Sequence, residues 1–278
     1  MKNVNMPKII KYSQVLSEVI APGVSTKKLL HEKSLPDKRM TLEVLNMDRN
    51  SEFVIENSET SVSWIQILEG EINIDQHSLT KEHLVFFPLH FSSKIKAKSN
   101  SKIVYVSIPN AKSFDESLEF NEQKSMQIIN WFKEPVLNSE FDNRKRIYVM
   151  SEALANTSVA KGEIIIYPPN TSAPEHYHVG AEHFQFMMSG TGIAVLEGVE
   201  HKLEMFDLLY NFEDENHYFY NSSDSEFVFV EFFVPGKYKT IWAPHAKVCT
   251  WLPTGKNYLG DTPSRDIKKH VAGEGEGI

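Results

Sequence analysis

Five of the chain's eleven histidines (His176, His178, His183, His201 and His217) fall between positions 176 and 217. His176 and His178 are two residues apart, and in an extended chain that spacing puts both imidazoles on one face. Glu182 and His183 follow at the head of an apolar run, and His217 opens a second short segment, His217-Tyr218-Phe219-Tyr220. Two imidazoles and a carboxylate converging from neighbouring strands are what a divalent ion needs, with coordination positions left open for a substrate. The chemistry expected is therefore that of one mononuclear metal centre. His201 precedes an acidic turn and is expected to be exposed.

Such a centre requires strands, and the surrounding sequence supplies them. Gly162-Glu163-Ile164-Ile165-Ile166-Tyr167 reads as a strand and Pro168-Pro169-Asn170 as a turn. A hairpin turns at Ser189-Gly190-Thr191-Gly192 and returns through Ile193-Ala194-Val195-Leu196. Residues 226–234 alternate through Phe227, Phe229, Glu231 and Phe233. The first half repeats the habit. Met40, Leu42 and Val44 alternate with polar residues, and apolar runs follow at 62–68, 85–87 and 103–108. Short strands between turn residues, with no long helical stretch, indicate an all-β sandwich or barrel.

The window from 146 to 236 resembles the cupin superfamily. Its first motif, G-x5-H-x-H-x3–4-E-x6-G, is matched by His176, His178, an acidic residue and Gly190. Its second, G-x5-P-x-G-x2-H-x3-N, is matched by His217 and Asn221, although Phe206, Phe212 and Asp214 stand where that motif has Gly, Pro and Gly. The resemblance implies two tandem cupin-type jelly-roll barrels (a bicupin), joined by short helical connectors and followed by an irregular C-terminal arm. The expected divisions are an N-terminal barrel over 36–110, a linker over 111–145, the metal-bearing barrel over 146–236 and the arm over 237–278. In the first half Leu68-Glu69-Gly70 and Pro88 fit the motifs, but Ser63 and Ser93 occupy the positions of the carboxylate and the last histidine, and no histidine pair precedes them. That barrel is expected to carry a degenerate site and bind no metal.

The metal ligands implied are His176, His178 and His217, with Glu182 or His183 as the third in chain order. Counting forward from His178 reaches Glu182, and counting back from Gly190 reaches His183. Glu182 shares a strand face with Phe184, Phe186 and Met188, the more apolar set, which favours Glu182 as the inward residue. Gln185, Tyr167, Tyr218 and Tyr220 are candidates for fixing the ring tautomers. The resemblance implies one divalent ion per chain, Fe(II) foremost, with Mn, Ni or Zn open. The enzyme expected is a dioxygenase acting on a small cyclic or dicarbonyl compound. A redox-neutral isomerase, decarboxylase or lyase, or a non-catalytic small-molecule binder, is the alternative.

Composition narrows the partners. The 278 residues carry 29 basic and 37 acidic side chains, a net charge of −8, which argues against a broad nucleic-acid surface. Residues 1–11 contain no apolar leader-like stretch, and no run of 18 apolar residues suggests a membrane span. A single cysteine, Cys249, offers no disulfide framework, and a cytoplasmic home is expected. Residues 12–20 are expected to form a short amphipathic helix, 113–132 a helical connector, and Arg144-Lys145-Arg146 a solvated basic turn. The Trp- and Pro-rich arm is expected to pack over the other barrel or over a second subunit in a homodimer. Its His245 and Cys249 read as packing residues rather than ligands, and the terminal Gly-Glu repeat as frayed.

Overall fold

The computed structural model describes residues 8–120, 124–268 and 270–271. The described chain forms two units, one of residues 12–132 and one of residues 1–11 with 133–278. The terminal Gly-Glu repeat lies outside the described residues, as do positions 121–123 of the connector.

The unit of residues 12–132 is a two-sheet jelly roll. Seven antiparallel strands lie in the order Gln127–Asn130, His83–Phe87, Val62–Glu69, Ser101–Ile108, Thr41–Met47, Val24–Leu30, Glu18–Ala21. Four more (Glu52–Glu56, Ser92–Ala97, Glu71–Ile74, His77–Thr80) form the facing sheet. Ile65, Ile67 and Phe87 from the larger sheet meet Ile72, Ile74 and Ile95 from the smaller one. Ser63 donates to Asn57, and Ser93 to Asp75.

The second unit repeats the plan with a larger sheet. Its nine strands run Lys8–Ile10, Leu208–Asn211, Glu182–Ser189, Phe227–Val234, Lys161–Tyr167, Lys145–Met150, Pro135–Ser139, Thr250–Asn257, His270–Val271. The facing five are Val199–Glu204, Thr191–Leu196, His217–Tyr220, His176–Val179 and Lys239–Trp242. Ile165, Tyr167, Met187, Phe227 and Phe229 from the large sheet pack on Ala194, Leu196, Leu203 and Phe219. Gly190 makes the hairpin turn at φ +73°, and a side chain there would put Cβ 2.1 Å from the Glu226 carbonyl oxygen.

Several local expectations differ from the structure. Residues 12–20 form a short 3-10 turn, Tyr12–Gln14, and then the edge strand Glu18–Ala21, because Pro22-Gly23 folds that segment back onto Val24–Leu30. The expected helical connector is two 3-10 turns, Ala111–Ser113 and Glu116–Glu119, followed by a strand paired with His83–Phe87. The arm is not irregular. Lys239–Trp242 pairs with His176–Val179, and Thr250–Asn257 pairs with Pro135–Ser139, so backbone groups that turn-rich sequence seemed to leave to solvent are satisfied in both sheets. The expected basic turn opens the strand Lys145–Met150, where Arg144 and Arg146 point into the barrel and Lys145 away from it.

Candidate metal centre

Strand pairing assembles the histidines. His176 stands directly opposite His217 across one ladder and opposite Trp242 across the next. His178, two residues on, projects to the same side, and the ring centroids lie 4.9 Å (His176–His178), 4.6 Å (His176–His217) and 5.3 Å (His178–His217) apart. One ring nitrogen from each of the three falls within 4.8 Å of the others, the group among the described residues that could hold a metal ion.

The outer nitrogens are already committed. His176 Nδ1–H donates to the Pro174 carbonyl and His217 Nδ1–H to the Glu215 carbonyl, both at 2.8 Å. His178 Nδ1 shares a hydrogen bond with the Thr240 hydroxyl at 3.2 Å. A carbonyl can only accept, so in His176 and His217 the proton sits on Nδ1 and the Nε2 lone pair is free to coordinate. Burial lowers His176, His178 and His183 well below the usual imidazole range, with the neighbouring rings adding to it, and burial brings His217 down to about 4. All four rings are thus neutral at neutral pH, the form that binds metal. The donor set fits a divalent transition ion.

The two candidates for the remaining ligand part company. His183 is buried, with its ring stacked on Phe233 and 4.8 Å from the rings of both His178 and His217. Its Nδ1 has no hydrogen-bond partner, and Asn211 Nδ2 lies 3.4 Å from its Nε2. The Glu182 carboxylate instead accepts from the Tyr210 hydroxyl. Strand alternation holds, but the faces are the reverse of those expected. His183, Gln185 and Met187 line the interior, and Phe184 and Phe186 are buried on the other face, against Phe232 and Phe206. Apolar character cannot mark the inner face of a strand buried on both sides.

Of the expected orienting residues, none bonds a histidine of the three-ring cluster. Gln185 bridges Asn211 and Glu231, Tyr167 sits on the cavity wall, Tyr218 is half-buried beside the core, and the Tyr220 hydroxyl donates to Glu200. The orienting work falls to two backbone carbonyls and Thr240, which side-chain patterns do not announce. His201 is half-buried on the strand Val199–Glu204. His245 is exposed beside Glu175, and Cys249 is buried against Ser139 and Arg144.

The histidines open onto a narrow cavity of about 40 Å³ whose far wall is charged. Arg144 is held by Asp142 at 2.7 Å and lies over Tyr167 and Trp251. Arg146 lies 4.3 Å over the Trp251 ring, with Nη2 3.0 Å from Glu163. Burial alone would lower the Arg146 guanidinium, but Glu163 beside it leaves it above its ordinary value. Glu231 completes the wall and is raised well above the carboxylate range, first by burial and then by Glu163. Tyr238, stacked on Phe233 at 3.9 Å, and Trp242, 5.1 Å from His176, also line the cavity. Sequence reasoning missed this wall. Its signal was the alternation Arg144, Arg146, Tyr148 at the start of a strand.

Residues 163–233 match the family described as Cupin domain. No curated protein matches the chain. Among solved structures, a variant of Bacillus subtilis oxalate decarboxylase superposes with a TM-score of 0.66 at 14% identity, covering 86% of this chain and 79% of that one. Two further structures of the same Bacillus subtilis enzyme give TM-scores of 0.65 at 13% identity, over 86% of this chain and 79% and 78% of theirs. One concerns that enzyme's Mn(II) centres and the other was solved at pH 4.6. At this identity the likeness is one of fold. Among the described residues no helix is long and apolar enough to cross a membrane.

Proposed function

We propose that the C-terminal barrel, whose residues 163–233 match the Cupin domain family, is a metal-dependent centre for redox-neutral cleavage or rearrangement of a small carboxylate, a lyase or isomerase. The observation that carries this is the wall facing the histidines, where two guanidiniums and a buried carboxyl pair line the same narrow cavity. His176, His178, His217 and His183 would hold the ion, leaving the Glu182 carboxylate with Tyr210. Mn(II) is the ion to try first, ahead of Fe(II), and the fold likeness to oxalate decarboxylase supports the lyase over the dioxygenase expected from sequence. When bound, a divalent ion supplies a Lewis acid and a template for substrate oxygens.

The chain's own residues account for the rest. The carbonyls of Pro174 and Glu215 keep the His176 and His217 rings in one tautomer, aimed inward. Arg144 and Arg146 are pre-oriented by Asp142, Glu163 and Trp251, so an anionic substrate meets fixed positive charge rather than mobile side chains. Tyr238 and Trp242 add aromatic surface to the cavity wall. A neutral four-imidazole site leaves the ion's full double charge, which also favours an anionic ligand.

The test is metal analysis of the purified full chain, then turnover of small di- and oxocarboxylates with Mn(II) in the absence of oxygen. About one equivalent of metal per chain and anaerobic product formation are expected. Turnover that requires oxygen, consumed mole for mole with substrate, would restore the dioxygenase reading.

A further inference from the structure

Glu163 and Glu231 stand directly opposite each other on the paired strands Lys161–Tyr167 and Phe227–Val234. Both side chains are buried and both line the cavity. Among the described residues one permanent cation lies within ion-pair distance of them, Arg146, and it lies against Glu163. Glu231 receives a hydrogen bond from Gln185 Nε2 at 3.1 Å. Neither Glu163 oxygen accepts a hydrogen bond of good geometry, although both are fully buried. Two buried carboxylates set opposite each other do not both rest ionised, and one proton between them supplies the donor that Glu163 lacks.

We propose that Glu163 and Glu231 share a single proton and that Glu231 is the proton donor of the site, delivering it to a substrate carbon in the cavity. The proposal rests on the carboxylate-cleaving reading above. For a small β-oxo acid the step is as follows. The bond to the departing carboxylate breaks, its electron pair stays on carbon and CO2 leaves. That carbon then forms a C–H bond as the Glu231 O–H bond breaks. The pair becomes doubly anionic beside Arg146 and regains one proton from water when product leaves. Glu163 and Arg146 are positioning residues, since they act through Glu231. The other titratable groups facing Glu231 are Lys161, Tyr148, Tyr167 and Tyr238. Burial lowers Lys161 to about 8, so Arg146 is the cation that answers the carboxyl pair throughout the working range.

Infrared spectroscopy of the full chain, metal-free and Mn(II)-loaded, tests the shared proton. At pH 7 a protonated-carboxyl carbonyl component should appear in the wild-type-minus-variant difference spectra of both Glu231→Gln and Glu163→Gln, in the latter because Glu231 inherits Arg146 and ionises; Glu215, which burial raises to about 8, contributes alike to all three proteins and cancels. Circular dichroism and metal content certify that both variants fold. A difference spectrum without that component, for either variant, overturns the proposal. The donor role is read with oxaloacetate as probe and Mn(II) alone as background. Glu231→Gln should lower kcat about 100-fold or more with KM changed little, matching the scale of general acid catalysis. It should also abolish the fall in kcat on the alkaline side. Wild-type kinetics in Glu231→Gln would show the pair to be structural and overturn the donor role. A band without oxaloacetate turnover would overturn the substrate reading and the donor role with it, leaving the shared proton as the surviving fact.

Discussion

Replacing His183 and Glu182 one at a time separates coordination from scaffolding within two adjacent residues. His183→Ala removes a buried imidazole packed 4.8 Å from the His178 and His217 rings, while Glu182→Ala removes the acceptor of the Tyr210 hydroxyl. Loss of a group supporting a metal site costs roughly 10- to 100-fold in affinity, and loss of a ligand at least that. His183→Ala should therefore weaken Mn(II) binding by at least about tenfold, or about 1.4 kcal/mol. Glu182→Ala loses a hydrogen bond to a charged group, worth about 1.5–3 kcal/mol of fold stability. In a unit of this size that lowers Tm by roughly 3–10 °C. Free Mn(II) measured by electron paramagnetic resonance across a titration gives the affinities, and a thermal melt of the metal-free proteins gives the stabilities. The expected pattern is crossed: metal lost with His183, stability lost with Glu182. If Glu182→Ala releases the ion and His183→Ala keeps it, the assignment of the interior face is wrong.

Two further outcomes follow from the same barrel. The fold holds His217 neutral, with its imidazole at about 4 against 6.5 in the unfolded chain, so its contribution is complete above pH 6.5 and is lost as the pH falls toward 4. The metal-free protein should lose on the order of 3 kcal/mol across that interval from this residue alone, measured by urea unfolding at stepped pH; a flat profile would show the ring to be solvated. Gly162→Ala would place Cβ 2.2 Å from Cε1 of the fully buried Phe232. It should cost about 1–3 kcal/mol or more by overpacking and lower the denaturation midpoint, while metal content at low temperature is unchanged.

Most of the architecture was readable because strand alternation and turn residues are local. His-x-His on one face, the Gly190 hairpin and the downstream His217 all sit where spacing put them. What failed was whatever depended on the second side of a strand. The strand Glu182–Ser189 is apolar on both faces, so Phe184 and Phe186 pointed to the wrong interior. Arg144 and Arg146 looked solvated because nothing near them in sequence names their partners; Glu163 and Trp251 are brought there by ladders formed with distant segments. The arm likewise took the strands Lys239–Trp242 and Thr250–Asn257 from partners about 60 or more residues away, and pairing of that range is invisible to periodicity.

The strand Lys8–Ile10 carries a consequence for synthesis. Ile9 pairs with Leu209 and packs on the core of the metal-bearing unit, and Lys11 anchors the segment on Asp207 at 2.7 Å. All of residues 12–132 fold as a different unit between that strand and the rest of its own sheet. Lys8–Ile10 must therefore wait until residue 211 has left the ribosome before it finds its ladder. Until then Lys8–Ile10 has no ladder, and any delay in its docking afterwards leaves the outer edge of Leu208–Asn211 as an open row of backbone donors and acceptors, which another unfinished chain could pair with. Bulk attached close to Lys8, or a cut there, would prolong that exposure, so the yield of soluble protein should depend more on residues 8–11 than their small share of the core suggests.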